Sequence, residues 1–291
     1  MSFDGVSAQY RERVQTFLAD WYARFHDEPQ KQLFEAMEYS LLAGGKRLRP
    51  IFAFEFCRMC GQPWENAAPF AAAIEMIHTY SLIHDDLPCM DNDDFRRGRP
   101  TNHKVFGEGL AVLAGDALLT DAFAVAATTK LPNPGDIGFA VSVLSECAGS
   151  LGMVGGQVLD IMSEHRECTE DEVLAIQSRK TGALINAACV LGTIAGGGSE
   201  EQLRAASQFA GALGLAFQIR DDMLDVIGTR EEMGKGVGTD ETKNTFVRIY
   251  GIEKCKELVK RYTDLAISAL DAFPEHTYLE TLAKQLTDRR N

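Results

Sequence analysis

ENAAPFAAAIEMIHTYSLIHDDLPCMDNDD, residues 65–94, carries an apolar run into a dense group of aspartates. Phe70, Ile74, Ile77, Tyr80, Ile83 and Leu87 recur at intervals of three and four, the period of one face of an α-helix and not the alternation of a strand. The spacing predicts a long helix over 65–87 that Pro88 must end or bend, because proline has no N–H to offer the carbonyl four residues back. The same periodicity holds along nearly the whole chain, and alternating β-branched and aromatic runs bounded by turns are missing. The fold class is therefore all-α, an antiparallel helical bundle of about ten helices.

Working outward from that helix, the pattern places others at 6–26, 30–42 and 49–60, the second stopped by Gly44-Gly45 and the third by Gly61. A helix follows at 108–128, then a glycine-interrupted pair within 137–163. Thr169-x-x-Glu172 and Ser199-x-x-Gln202 are capping-box patterns that open helices reaching about 195 and 227. A glycine-rich, charged loop over 228–243 precedes two closing helices at about 253–272 and 278–289. No stretch between them looks like a linker, so residues 1–291 are expected to form one domain.

Composition narrows the class. The chain is 45% hydrophobic and 24% charged, which excludes a disordered chain and a small disulfide-stapled scaffold. With 29 Lys and Arg against 42 Asp and Glu the net charge is −13, so a nucleic acid or an anionic bilayer would meet repulsion unless a local basic patch overrode it. No nucleic-acid partner is expected. The seven cysteines are an odd, scattered set that fits a reducing compartment, and the first residues lack a basic region followed by an apolar stretch. A cytoplasmic location is the expectation. The uncharged segment 181–199 is interrupted by Gly192 and Gly196-Gly197-Gly198 and reads as a buried helix, not a membrane span.

Two places hold aspartates far denser than solvation needs: Asp85-Asp86 with Asp91, and Asp221-Asp222 with Asp225. On a helix Asp221 and Asp225 share a face, with Gln218 one turn earlier. Asp85 and Asp91 could not share a face of a continuous helix, but the break at Pro88 lets the loop fold Asp91 back. Like charges at the ends of apolar helices raise one another's pKa and lower stability unless a cation sits among them. Oxygen-only ligands suit a hard ion, and Mg2+ usually completes its octahedron with waters and substrate phosphates. The cations of an otherwise acidic chain gather in Gly44-Gly45-Lys46-Arg47-Leu48-Arg49, Arg96-Arg97-Gly98-Arg99, Arg179-Lys180-Thr181 and Gly234-Lys235-Gly236. Together with the aspartates they suggest two anion pockets, one using metal and one using side chains directly.

These residues resemble the trans-isoprenyl diphosphate synthases, in particular bacterial farnesyl and geranylgeranyl diphosphate synthases. The resemblance rests on GGKRLRP (44–50), EMIHTYSLIHDDLPCMDNDDFRRGRPTNH (75–103), LAGDALL (113–119), GGQVLD (155–160), KTGAL (180–184) and FQIRDDMLD (217–225), in family order. It implies an isoprenoid-synthase bundle around a central cavity, a homodimer, and Mg2+ as cofactor, three ions per site with substrate bound and Mn2+ a possible substitute. It implies that Asp85, Asp91 and Asp221 bind the metal directly, with Asp86, Asp222 and Asp225 in support. It further implies that Arg96, Lys180 and Lys235 hold the allylic diphosphate, that Lys46, Arg49, His78 and Arg97 hold isopentenyl diphosphate, and that Thr181 and Gln218 line the reacting centre. The loop before Lys243 is about two residues shorter than the family pattern, which ranks Lys243 below Lys235. The implied chemistry is ionisation of the allylic C–O bond, condensation with isopentenyl diphosphate and loss of a proton, with water kept out by an apolar cavity.

Tyr80 and Ser81 lie five and four residues before Asp85, about one turn deeper along the helix. As the floor beneath the first metal site, an aromatic ring at Tyr80 should stop chain growth near fifteen carbons, so farnesyl diphosphate is the expected product and the twenty-carbon product the alternative. Tyr80 as an ordinary core residue explains its position equally well. Gln157 and Asp160 share one helix face and fit the wall near Lys180, although hydrogen bonding within the fold explains them nearly as well. Two other classes remain: a His-Asp metal phosphohydrolase built on His78 and His84-Asp85, disfavoured by the dominance of carboxylates, and a non-catalytic partner subunit, disfavoured because both aspartate clusters are complete. His103, His165 and His276 read as surface or satisfied polar residues.

Overall fold

The computed structural model describes residues 2–164, 166–227 and 245–288. Helix α1 (Phe3–Ala23) is capped by Ser2, whose hydroxyl accepts from the Gly5 N–H at 3.2 Å, and it buries Tyr10, Val14, Leu18 and Tyr22 along one face. Helices α2 (Lys31–Leu41) and α3 (Leu48–Met59) follow, then a 3-10 turn (Trp64–Ala67) that leads into α4 (Ala68–Asp85). Helix α4 stops short of Pro88, as its sequence requires, and is buried on nearly every side. A two-residue-per-strand hairpin pairs Phe95–Arg96 with Arg99–Pro100 where the sequence suggested only loop.

After the short α5 (Asn102–Phe106), helix α6 (Glu108–Ala127) packs along α4. The two approach so closely that a Cβ at Gly115 would lie 2.1 Å from His84 Nε2. Helices α7 (Ile137–Ala148) and α8 (Met153–Ser163) are the expected pair, separated at Gly149 and Gly152. The capping box at Thr169 is formed in full and opens α9 (Glu170–Gln177). Helix α10 (Ala183–Ala195) buries all but Ala183 and Asn186, so the uncharged stretch is indeed an interior helix. It crosses α3 at Gly192, where a Cβ would meet the Ala53 carbonyl oxygen at 2.3 Å.

The sequence suggested one helix from 169 to 195, but residues Ser178–Gly182 form a π-turn between α9 and α10. The wider turn lets the backbone pass α8 at close range, since a Cβ at Gly156 would stand 2.2 Å from the Lys180 nitrogen. Helix α11 (Glu200–Ile227) starts at the Ser199 box: the Ser199 N–H donates to Gln202 at 3.0 Å and the Gln202 N–H to the Ser199 hydroxyl at 3.2 Å. It packs along α12 (Phe246–Ala269), which begins earlier than its periodicity suggested because Thr245 caps it. Gly251, at φ +73°, breaks its helical geometry and conceals the first turns from a search for unbroken periodicity. Helix α13 (Thr277–Asp288) closes the described chain.

One large core joins α1 to α4, α6, α7, α10 and α11. A smaller one sits between α9, α11 and α12 around Val173, Ile219, Phe246 and Cys255. By length and composition alone, α6 and the stretch 134–163 are apolar enough to cross a bilayer. In the fold α6 lies against α4, and 134–163 is divided between α7 and α8. None of the seven cysteines is in a disulfide.

Candidate active site

The last turn of α4 and the loop after it build the first acidic wall. The chain turns at once past Pro88: the Met90 and Asn92 N–H groups donate to the Leu87 carbonyl at 2.9 and 3.1 Å, with Asn92 left-handed at φ +53°. The Asp91 N–H then donates to the Asp85 carbonyl at 2.8 Å, which returns Asp91 to Asp85 as the proline break allowed. Burial holds the Asp85 carboxyl up to about pKa 6; Lys180 opposes that shift and Asp91 adds to it. The group carries an unmet need for positive charge.

Asp86 points elsewhere, because neighbouring residues on a helix project about 100° apart. It is buried and accepts from Arg96 Nε at 2.7 Å, with Arg96 Nη2 at 2.6 Å. Arg96, expected on the allylic diphosphate, is thus occupied in tying the hairpin to the end of α4. Asp86, expected to support the metal, is the carboxylate it ties to.

The second wall is the C-terminal part of α11. Burial raises Asp221 to about 6, opposed by Arg220 and Lys46 and reinforced by Asp225. Asp222, expected to support the metal, lies buried and accepts from the Phe246 N–H at 2.7 Å, fastening α12 to α11. Gln218 donates to Gln177 at 2.6 Å, so α11 and the end of α9 meet next to Thr181.

Two adjoining cavities open beside α4. The first, about 490 Å³, is cationic and includes Lys46, Arg49, His78 and Arg97. Its rim depends on glycine: Gly44 and Gly45 have φ of +83° and +134°, and Arg97 lies across them, donating to the Gly44 carbonyl. A Cβ at Gly45 would come within 2.9 Å of that guanidinium. Arg49 Nε is buried without a partner, and burial lowers the pKa of this residue. Burial, then Arg49 and Arg97, drive His78 well below the ordinary histidine range, so it presents a neutral ring.

Arg49 and His78 also line the second cavity, about 430 Å³, together with Asp85, Lys180 and Thr181. Its floor is apolar. Tyr80 and Ser81 stand one turn below Asp85, with the α8 side chains Met153, Val154 and Val158 facing them. Tyr80 is 6% exposed and meets the His84 ring edge-on, centroids 5.6 Å apart. Burial and Asp85 push its hydroxyl up to about 12. Lys180 Nζ, at the cavity edge, pairs with Asp160 at 2.5 Å.

Lys235 and Lys243 lie outside the described residues, as does His165. Of the other histidines set aside in the sequence, His103 is buried with Nδ1 3.2 Å from the Thr101 hydroxyl, and His276 pairs with the Phe273 carbonyl at 2.9 Å. Sequence reasoning missed the buried pair of Arg47 with Glu75, in which Arg47 also donates to the Leu41 carbonyl at 2.6 Å. The signal was available: a glutamate in the middle of an otherwise apolar helix requires a charged partner.

The donor set fits Mg2+. Among the described residues no three acidic, imidazole or thiol groups converge enough to hold an ion by themselves. Asp85 and Asp221, one from each wall, have raised pKa values with the charges of Lys180 and Lys46 acting on them in turn, a setting that suits a hard cation shared between protein and phosphate.

The family model for polyprenyl synthetase matches residues 30–272. The chain is 46% identical over 274 residues to the large subunit 1 of a chloroplastic heterodimeric geranylgeranyl pyrophosphate synthase of Arabidopsis thaliana, covering 91% of this chain and 74% of that one. It is 44% identical over 263 residues to a farnesyl diphosphate synthase of Micrococcus luteus, covering 89% and 90%. In three dimensions it is similar to an FPP/GFPP synthase from Zymomonas mobilis, with a TM-score of 0.89, 35% identity and 98% coverage of both chains. Motifs in order, an all-helical fold and the likeness of the whole chain agree: this protein belongs to the polyprenyl synthetase family and is a prenyltransferase.

Proposed function

We propose that the protein condenses an allylic diphosphate, dimethylallyl or geranyl, head to tail with isopentenyl diphosphate, and that farnesyl diphosphate is its product. The observation that carries the reading is the second cavity, where Asp85, Lys180 and Thr181 stand at the mouth and Tyr80 at the floor. Asp85, Asp91 and Asp221 would hold Mg2+, three ions with substrate bound, with Asp225 in support and Asp86 and Asp222 bracing the two walls. Bound there, the metal supplies Lewis-acid stabilisation of the charge that develops on diphosphate as the allylic C–O bond breaks.

The chain's own residues divide the rest. Lys180 holds the allylic diphosphate through its ammonium, and Arg96 keeps Asp86 and the hairpin in place beside it. Lys46, Arg49 and Arg97 bind isopentenyl diphosphate, while neutral His78 donates or accepts a hydrogen bond without adding charge. Thr181 and Gln218 bound the space in which the new C–C bond forms. The apolar floor keeps water from the allylic cation, and the proton released from the isopentenyl unit leaves to the departing diphosphate.

Two features extend the reading. Leu113 on α6, Phe139 on α7, Leu151 in the turn before α8 and Met162 near the end of α8 are 55–72% exposed apolar side chains. A homodimer that covers some of them is the assembly we propose. The absence of disulfide bonds among seven cysteines supports a reducing, cytoplasmic setting.

Chromatography of dephosphorylated products tests the assignment. Wild type with Mg2+, isopentenyl diphosphate and either starter should yield the fifteen-carbon alcohol. Tyr80→Ala should lengthen the product to twenty carbons or more. Unchanged length in that variant removes Tyr80 from the mechanism, and a twenty-carbon product from wild type rejects the farnesyl reading.

A further inference from the structure

We infer that Asp160, on α8, is a positioning residue for the reaction: it fixes the ammonium of Lys180 where the allylic diphosphate must be met. The inference rests on the role of Lys180 proposed above and adds a residue outside both aspartate clusters.

The contact is specific. Asp160 Oδ2 lies 2.5 Å from the Nζ of Lys180, which lines the second cavity, and both side chains are about one-third exposed. A lysine has a flexible four-carbon stem, and its charge is of little use for orientation unless something holds its far end. The near end is held as well. Gly156 lies one helical turn before Asp160 and on the same face of α8, and it passes so close to the Lys180 backbone that any Cβ would collide with it. One face of α8 therefore seats Lys180 twice, through a missing side chain at Gly156 and a carboxylate at Asp160.

The π-turn completes the device. In a regular helix over 169–195 the residue at 180 would be set by the register of α9 and α10. The π-turn from Ser178 to Gly182 changes that register, and such turns recur at functional sites. From this seat the Lys180 charge acts on Asp85, the carboxylate at the end of α4 with which it lines the second cavity. Preorganised charge of this kind accelerates a step in which negative charge develops on a leaving group, because no reorientation is needed as the bond breaks. Asp160 is not placed against substrate; it acts through Lys180.

Asp160→Asn preserves shape and removes the charge. Its kcat is expected to fall about tenfold, with KM for isopentenyl diphosphate unchanged and with the thermal midpoint close to wild type. Asp160→Glu should restore part of the lost rate. A double-mutant cycle provides the decisive measurement, since residues acting through one contact fail to add. If Asp160 works through Lys180, Asp160→Asn costs little further in a Lys180→Gln background. A full, additive tenfold loss in that background overturns the inference, as does an Asp160→Asn enzyme as fast as wild type or faster. Lys180→Gln alone separates the two readings: if it leaves kcat/KM for the allylic diphosphate intact, the proposed role of Lys180 fails first and Asp160 loses its function with it. If it is strongly impaired while Asp160→Asn is silent, only the inference about Asp160 fails.

Discussion

Glu75→Gln should both destabilise the protein and weaken its hold on isopentenyl diphosphate, and the sizes of the two effects follow from where Arg47 sits. Glu75 and Arg47 are 2% and 4% exposed, so neither charge is solvated. Arg47 donates to Glu75, to the Leu41 carbonyl at 2.6 Å and to Gln15 at 3.0 Å, while its Nε has no partner. The variant leaves the guanidinium buried without a counter-charge. Breaking one side of such a pair costs about 3–5 kcal/mol. At about 2–4 °C per kcal/mol for a large domain, the thermal midpoint should drop by roughly 6–20 °C. Arg47 is also left-handed, at φ +51°, in the loop that places Lys46 and Arg49 in the cationic cavity. Its release should raise KM for isopentenyl diphosphate about tenfold, equivalent to about 1.4 kcal/mol of binding. The KM for the allylic substrate should stay near wild type. Urea unfolding and initial-rate kinetics measure the two effects. The double variant Arg47→Met with Glu75→Leu removes both charges and should recover much of the stability without restoring the loop. A Glu75→Gln protein within about 1 kcal/mol of wild type, with KM unchanged, refutes the assignment of this pair as the anchor of the cavity.

Replacing a carboxylate proposed to hold the metal should leave the fold intact and stop the chemistry: Asp221→Ala should lose on the order of 10²–10³ in kcat, the cost of one preorganised electrostatic contact, and near-normal Mg2+-dependent turnover would reject its assignment. The depressed pKa of His78 sets a pH trend. As pH falls through about 6.5 the unfolded chain takes up a proton that folded His78 refuses, so stability falls with pH in that range. His78→Gln should lessen this loss between pH 7 and 5 in urea titrations, and parallel curves for variant and wild type would contradict the buried neutral ring. Leu113→Glu, which charges an exposed apolar position on α6, should convert the proposed dimer to a monomer in light scattering; an unchanged mass for the variant rejects an interface through Leu113.

Residues whose position follows from helical period were legible before any coordinates. Asp221 and Asp225 share a face because they are four apart, Tyr80 falls a turn below Asp85, and Pro88 both ends α4 and lets Asp91 return to it. The sequence does not say which way a side chain turns once two helices meet. Asp86 and Asp222 belong to the same acidic clusters as Asp85 and Asp221, yet each is the second of a pair and projects about 100° away, to Arg96 and to the Phe246 N–H. Cluster density therefore conceals two structural fasteners, Asp86 and Asp222. The π-turn was illegible for a related reason: its cause is an approach between α8 and the 178–182 segment, made possible by Gly156, which no local pattern around Lys180 records. The same contact brings Asp160 to Lys180, two residues whose separation of twenty positions has no meaning in either helix alone. Local period thus determines what each helix end can offer, whereas glycine-mediated close packing determines which offers reach the cavity. Substitutions at Gly156 or Gly45, which carry no functional group, should accordingly disturb catalysis by displacing Lys180 or Arg97.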